Sequence, residues 1–128
     1  RQAISLSKTN LINCIGFGLE ALLKYAKEKK LITSIPANAG LRCDLLKKTF
    51  PDNLELIDYI NFYLRLRKLS RAEYTRREEF RRHVTMIATI DKGEVVEVSI
   101  DSLKEDYGKT RNFIAFVKKI INEEKEEN

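Results

Sequence analysis

Residues 11–30, LINCIGFGLEALLKYAKEKK, decide the fold. Ile12, Ile15, Leu19, Leu22, Leu23 and Ala26 recur at steps of three and four, which places them on one stripe of an amphipathic helix. Such a stripe has to be buried against a neighbouring element, so the segment predicts a helical assembly. Downstream, Ser34-Ile35-Pro36 breaks the pattern, and Asn38 or Gly40 opens a second helix through Leu41, Leu45, Leu46 and Phe50 that Pro51 ends. Asp52 reads as the N-cap of a third helix, with Glu55 three residues on and a stripe of Leu56, Tyr59, Ile60 and Tyr63 running to about Leu69. Ser70 and Glu73 have the spacing of a capping box, which predicts a kinked or restarted helix carrying Tyr74 and Phe80 inward.

The period changes after His83. Val84, Met86, Ala88 and Ile90 alternate, Asp91-Lys92-Gly93-Glu94 punctuates, and Val96, Val98 and Ile100 alternate again, the pattern of a β-hairpin. Val84, Ile87 and Asp91 also fit a helix, so 84–90 is open to either reading. A last helical region begins at Asp101 or Ser102, is interrupted at Tyr107-Gly108, and has the stripe Phe113, Phe116, Val117, Ile120 and Ile121. The expected architecture is mostly α: an antiparallel bundle of four or five helices with one small β-hairpin appended at about 84–100. Residues 1–122 form a single domain, and the acidic tail 123–128 is expected to fray.

With 128 residues, 43% hydrophobic and 34% charged, the chain can fill one ordinary core, which excludes a disordered chain and a multi-domain enzyme. No apolar run reaches the roughly 18 residues of a membrane span, so no membrane partner is expected. Charge is distributed unevenly. Between Arg65 and His83 stand Arg65, Arg67, Lys68, Arg71, Arg76, Arg77, Arg81 and Arg82 against Glu73, Glu78 and Glu79. That local excess of five equals the net charge of the whole chain, +5. Seven of the eight cations are arginine, whose planar fork suits phosphate and carboxylate. The segment therefore reads as a nucleic-acid or phosphate surface, or as a solvated helix face laced with local ion pairs.

Cys14 and Cys43 lie too far apart in sequence for a clustered zinc motif, and His83 is the only histidine, so neither a metal nor another cofactor is expected. Both cysteines read as reduced, buried thiols of a cytoplasmic protein. The chain starts at Arg1 and its only methionine is Met86, which leads one to expect a preceding segment. Gly16, Gly18 and Ala21 match G-x-G-x-x-A, but within a helical pattern and with no βαβ unit after them, so small residues for close helix packing is the better reading.

On a continuous helix, Arg76 and His83 would share a face two turns apart, at about 10.5 Å along the axis. A phosphodiester could bridge them, with His83 moving the proton and Arg76 or Arg77 stabilising the phosphoryl charge. Glu79, one turn before His83, offers the alternative of an ordinary ion pair.

Arg76 and Arg77 stand in R-x6-H and R-x5-H relation to His83, and with the helix through Tyr63-Leu64-Arg65, the stretch Arg71-Ala72-Glu73-Tyr74 and the last helix with Phe113 and Val117, the sequence resembles the HEPN superfamily of small helical domains. The likeness covers, loosely, residues 52–121. It implies a metal-independent endoribonuclease or an RNA-binding relative, a homodimer, and a nucleotidyltransferase-type antitoxin as partner. His83 would then be the acid or base and Arg76 or Arg77 the phosphate contact, with Arg65, Arg67, Lys68, Arg71, Arg81 and Arg82 holding RNA. The Arg-Asn pair often seen before the family's histidine occurs here only as Arg111-Asn112, with Phe116 four residues beyond. The competing class is a non-catalytic dimeric interaction module.

Overall fold

The stripe of α1 is buried almost as its spacing requires: Ile15, Leu19, Leu22, Leu23 and Ala26 lie in the core together with Leu11, while Ile12 is half-buried at its edge. They belong to α1 (Gln2–Glu28), which touches each of the other helices, α2 (Ala39–Thr49), α3 (Leu54–Arg71) and α4 (Ile100–Glu127). A computed structural model describes residues 2–71, 73–77, 85–89, 95–98 and 100–127, with side chains over 8–71 and 101–123. Among the described residues the chain is mostly helical, a bundle of four helices. Cys43 and Leu46 of α2, Leu56, Ile60, Tyr63 and Leu66 of α3, and Phe113 and Val117 of α4 complete the core.

Local chemistry sets the helix ends. Lys30 adopts a left-handed conformation (φ 62°), the Leu31 N–H reaches back to the Ala26 carbonyl and the Lys30 N–H to that of Lys27. This is a Schellman stop with lysine where glycine is usual. Asn38 caps α2, its Oδ1 accepting from the Leu41 N–H at 3.2 Å. The cap of α3 is Asn53 instead of the expected Asp52: Asn53 Oδ1 accepts from the Leu56 N–H at 3.0 Å. Carboxamide and carboxylate cap equally well, so sequence alone does not separate two adjacent candidates.

Two expected breaks do not occur where the sequence suggested them. Ser70 lies inside the last turn of α3 and donates to the Arg67 carbonyl at 2.8 Å instead of opening a new helix. Gly108 lies within an uninterrupted α4, which continues through Glu127, so the acidic residues from Glu123 belong to its last turns. A single glycine costs a helix about 1 kcal/mol, less than the long buried stripe around Phe113 and Val117 supplies.

The helix expected after Ser70 is also corrected. Residues Glu73–Arg77 form a strand, β1, which pairs antiparallel with β2 (Thr85–Thr89), and β2 pairs antiparallel with β3 (Val95–Val98). Both β2 and β3 fall within the span of the expected hairpin, but the sheet has three strands in the order β1-β2-β3, so a lone two-stranded hairpin is not what forms. An isolated ribbon is marginal in water, and β1 satisfies one edge of β2. The turn at 91–94 lies outside the described residues.

The glycines of residues 16–18 separate by function in the packing. A Cβ on Gly18 would stand 2.6 Å from the ring of Phe113, which is 0% exposed, so α1 and α4 meet here at backbone distance. Phe113 in turn lies 5.1 Å, centroid to centroid, from Tyr59 of α3, and Phe116 lies 5.3 Å from Tyr59. Lys109 joins the same helices, pairing with Asp58 at 2.8 Å and lying 5.0 Å from the Phe62 ring centre. Gly18→Ala should therefore cost about 1–3 kcal/mol by overpacking. Gly108→Ala, where a Cβ meets nothing within 4 Å, should stabilise by about 0.5–1 kcal/mol. Urea melts of the two variants check the opposite signs. In the same assay Asn53→Ala should lose about 1 kcal/mol and Asp52→Ala much less; equal losses would return the cap to Asp52.

Candidate functional site

The eight cations of residues 65–83 are not carried on one helix. Arg65, Arg67, Lys68 and Arg71 occupy the last two turns of α3, and Arg76 and Arg77 lie on β1 opposite Met86 and Thr85 of β2. Arg81, Arg82 and His83 lie outside the described residues. The two-turn helical spacing expected between Arg76 and His83 does not apply, because residues 73–77 are extended. On α3 the cations remain together: Arg65 with Lys68, Lys68 with Arg71, and Arg67 with Arg71 are three or four residues apart and so neighbours on the helix surface. Arg65, Lys68 and Arg71 are exposed, and Arg67 is half-buried. Lys68 and Arg71 also sit in the last turn, where a cation complements the helix dipole.

Arg67 is half-buried because it faces a cavity of about 210 Å³ between α1, α2 with its preceding connection, and α3. Its Nη1 lies 3.5 Å from Tyr63 Oη, and the guanidinium carbon lies 5.6 Å from the centre of the Tyr63 ring. Arg42, from α2, enters the same cavity with its Nε donating to the Pro36 carbonyl at 2.6 Å. Both anchors are neutral, so they orient the guanidiniums without cancelling their charge. From α1 come Asn13, Gly16, Phe17 and Glu20. Phe17 is 71% exposed, an unusual position for an aromatic ring, and the Glu20 carboxylate lies 3.7 Å from Lys24 at the surface. A Cβ on Gly16 would come 3.6 Å from Tyr63 Oη, an ordinary contact. Gly16 is therefore not required by packing as Gly18 is; it keeps the space in front of the phenol open.

Sequence reading assigned Arg67 to the basic surface and missed Arg42, which lies outside the charged run. The signal available was the G-x-G pair, whose members sit about 200° apart around α1 and so serve two neighbours.

A second charged cluster lies among α1, α3 and α4. Lys8 is 2% exposed. Burial pushes its ammonium down, the Asp106 carboxylate pulls it back up, and Arg65 adds to the depression. Burial pushes the Asp106 carboxyl up, against the pull of Lys8 and the more distant cations. Arg65 is thereby tied to the fold as well as to the basic strip. Of the cysteines, Cys43 is buried, and burial pushes its thiol up while Lys47 and Arg67 draw it back, which makes it unreactive. Cys14 is only half-buried, against the expectation that both thiols are in the core, because it faces a groove with Tyr107, Arg111 and Ile114 of α4. Among the described residues no three His, Cys, Asp or Glu side chains are grouped to hold a metal ion, and no helix is long and apolar enough to cross a membrane.

The Asp106 shift gives a signed prediction. Its folded pKa is raised, so above 3.8 the unfolded chain releases this proton first, the folded chain binds more protons, and stability falls as pH rises. Asp106→Asn removes that term. Wild-type stability minus that of Asp106→Asn should decrease between the unfolded and the folded pKa of Asp106, measured by denaturant melts across the acid range; a difference that grows with pH would overturn the assignment. Comparison of the chain with family models, with curated proteins and with solved structures finds no match.

Proposed function

We propose that the chain is an RNA-binding helical domain whose contact surface is the cationic strip at the end of α3. One observation carries the reading: the last two turns of α3 present Arg65, Lys68 and Arg71 to solvent as surface neighbours, within the segment that holds the chain's entire charge excess. Closely spaced cations on a rigid element match successive phosphates and bind by releasing counterions. Arg76 and Arg77 on β1 and Arg81 and Arg82 beyond it extend the basic segment in sequence.

The resemblance to the HEPN superfamily supports the same class of ligand. It adds a cytoplasmic homodimer paired with a nucleotidyltransferase-type antitoxin, and a ribonuclease reaction centred on His83. In that reaction the imidazole accepts the proton of a ribose 2′-hydroxyl, the 2′-oxygen attacks phosphorus, and the 5′-oxygen leaves and takes a proton. The products are a 2′,3′-cyclic phosphate and a 5′-hydroxyl, with Arg76 or Arg77 against the phosphoryl charge.

The test uses single-stranded RNA and the pair Lys68→Glu and Arg71→Glu, with Arg65 left unchanged because it lies beside Lys8 and Asp106. Wild-type affinity should fall steeply with salt, and the double variant should bind at least about tenfold more weakly with a shallower salt slope. His83→Ala should keep binding and lose any cleavage in EDTA. Unchanged affinity in the double variant, with an unchanged melting temperature, would falsify the α3 surface.

A further inference from the structure

We propose that the cavity between α1, α2 and α3 is a binding site for a free α-amino acid with an apolar side chain. The site goes beyond the RNA surface and rests mainly on other residues. Its polar groups are divided by sign. The guanidiniums of Arg42 and Arg67 come from α2 and α3, and the carboxylate of Glu20 comes from α1. Glu20 is shared with Lys24, 3.7 Å away at the surface, so a simple anion such as phosphate would use the arginines and leave the carboxylate to that lysine. A zwitterion uses both, its carboxylate on the guanidiniums and its ammonium on Glu20, with Tyr63 Oη as an additional neutral partner. The remaining wall includes Ile12 and Leu19, suited to an apolar side chain.

Size narrows the ligand further. The volume of about 210 Å³ is below the roughly 300–1,000 Å³ of pockets for drug-sized molecules, which favours a ligand of amino-acid size over a nucleotide. A peptide end supplies only one of the two charges on its terminal α-carbon, so the division of charge selects the free amino acid. The guanidiniums are also preorganised: Arg42 is fixed by the Pro36 carbonyl and Arg67 by Tyr63, so little side-chain freedom is left to lose on binding. Gly16 is the second, independent pointer. A helix-interior glycine is unfavourable, packing does not require it here, and its effect is to leave space before Tyr63 Oη.

Calorimetry of the full chain with L-leucine, L-methionine and L-phenylalanine at up to about 10 mM covers affinities to the millimolar range. At least one should bind. N-acetyl-L-leucine, which lacks the ammonium, and L-leucinamide, which lacks the carboxylate, should each bind at least about tenfold more weakly than the parent, a difference of about 1.4 kcal/mol. Gly16→Ala should abolish binding while the melting temperature stays level or rises, which separates a filled cavity from a damaged fold. Arg42→Gln should weaken binding without changing the RNA affinity of the α3 strip. The proposal is overturned if none of the three amino acids binds, if the blocked derivatives bind as well as the zwitterion, or if Gly16→Ala binds like wild type.

Discussion

The bundle depends on the contact between Gly18 and Phe113. The two positions are 95 apart in the sequence, and with no Cβ on Gly18 the aromatic ring of α4 can lie against the backbone of α1. Closing so long a loop has an entropic cost, which grows only slowly with length and which buried aromatic area can offset. Phe113 then brings in Tyr59, and Tyr59 brings in Phe116, so one close approach organises α1, α3 and α4 into a shared aromatic core. The ion pair of Lys109 with Asp58 lies outside this core and is partly exposed, so it aligns α3 and α4 more than it stabilises them.

Because α1 is committed to α4 on the side of Gly18, its opposite side faces α2 and α3, where Gly16 lies among Ile12, Asn13, Leu19 and Glu20 at the cavity wall. The two glycines look like one motif in sequence and act as two on the helix, one closing an interface and the other leaving one open. The division extends to electrostatics. Toward α4, the buried Lys8 is matched by Asp106, so charge in the packed interior is compensated. Toward α2 and α3, Arg42 and Arg67 rest on a carbonyl and a phenol, which orient them and leave their charge available.

What the sequence made legible follows from the range of the forces involved. The stripes of α1, α3 and α4 were readable because burial of a periodic apolar face depends on spacing within one segment. The start of α2 was readable only to within two residues, Asn38 or Gly40, and the structure makes Asn38 its cap. The strand β1 was not readable: Glu73, Arg76 and Arg77 favour helix locally, Tyr74 and Thr75 are too few to reverse the pattern, and the segment becomes extended through pairing with β2, a non-local partner. Gly108 misled in the opposite direction, since a local helix breaker is overridden by the apolar face that continues past it.

The same limit governs the site. Counting charge along the chain finds a dense run such as residues 65–83, but it cannot pair Arg42 with Arg67, which line one cavity because α2 and α3 pack on α1 and on each other. Nor can it divide the run by environment. Arg67 sits between Leu66, which is buried, and Lys68, which is exposed, and its angular position on α3 turns it toward the cavity. One residue of rotation on a helix is about 100°, enough to move a guanidinium from the open surface to a partly covered pocket. The basic segment is thus one feature in composition and two in space, and substitutions at Arg67 should be interpreted against Arg42 before they are interpreted against Lys68 and Arg71.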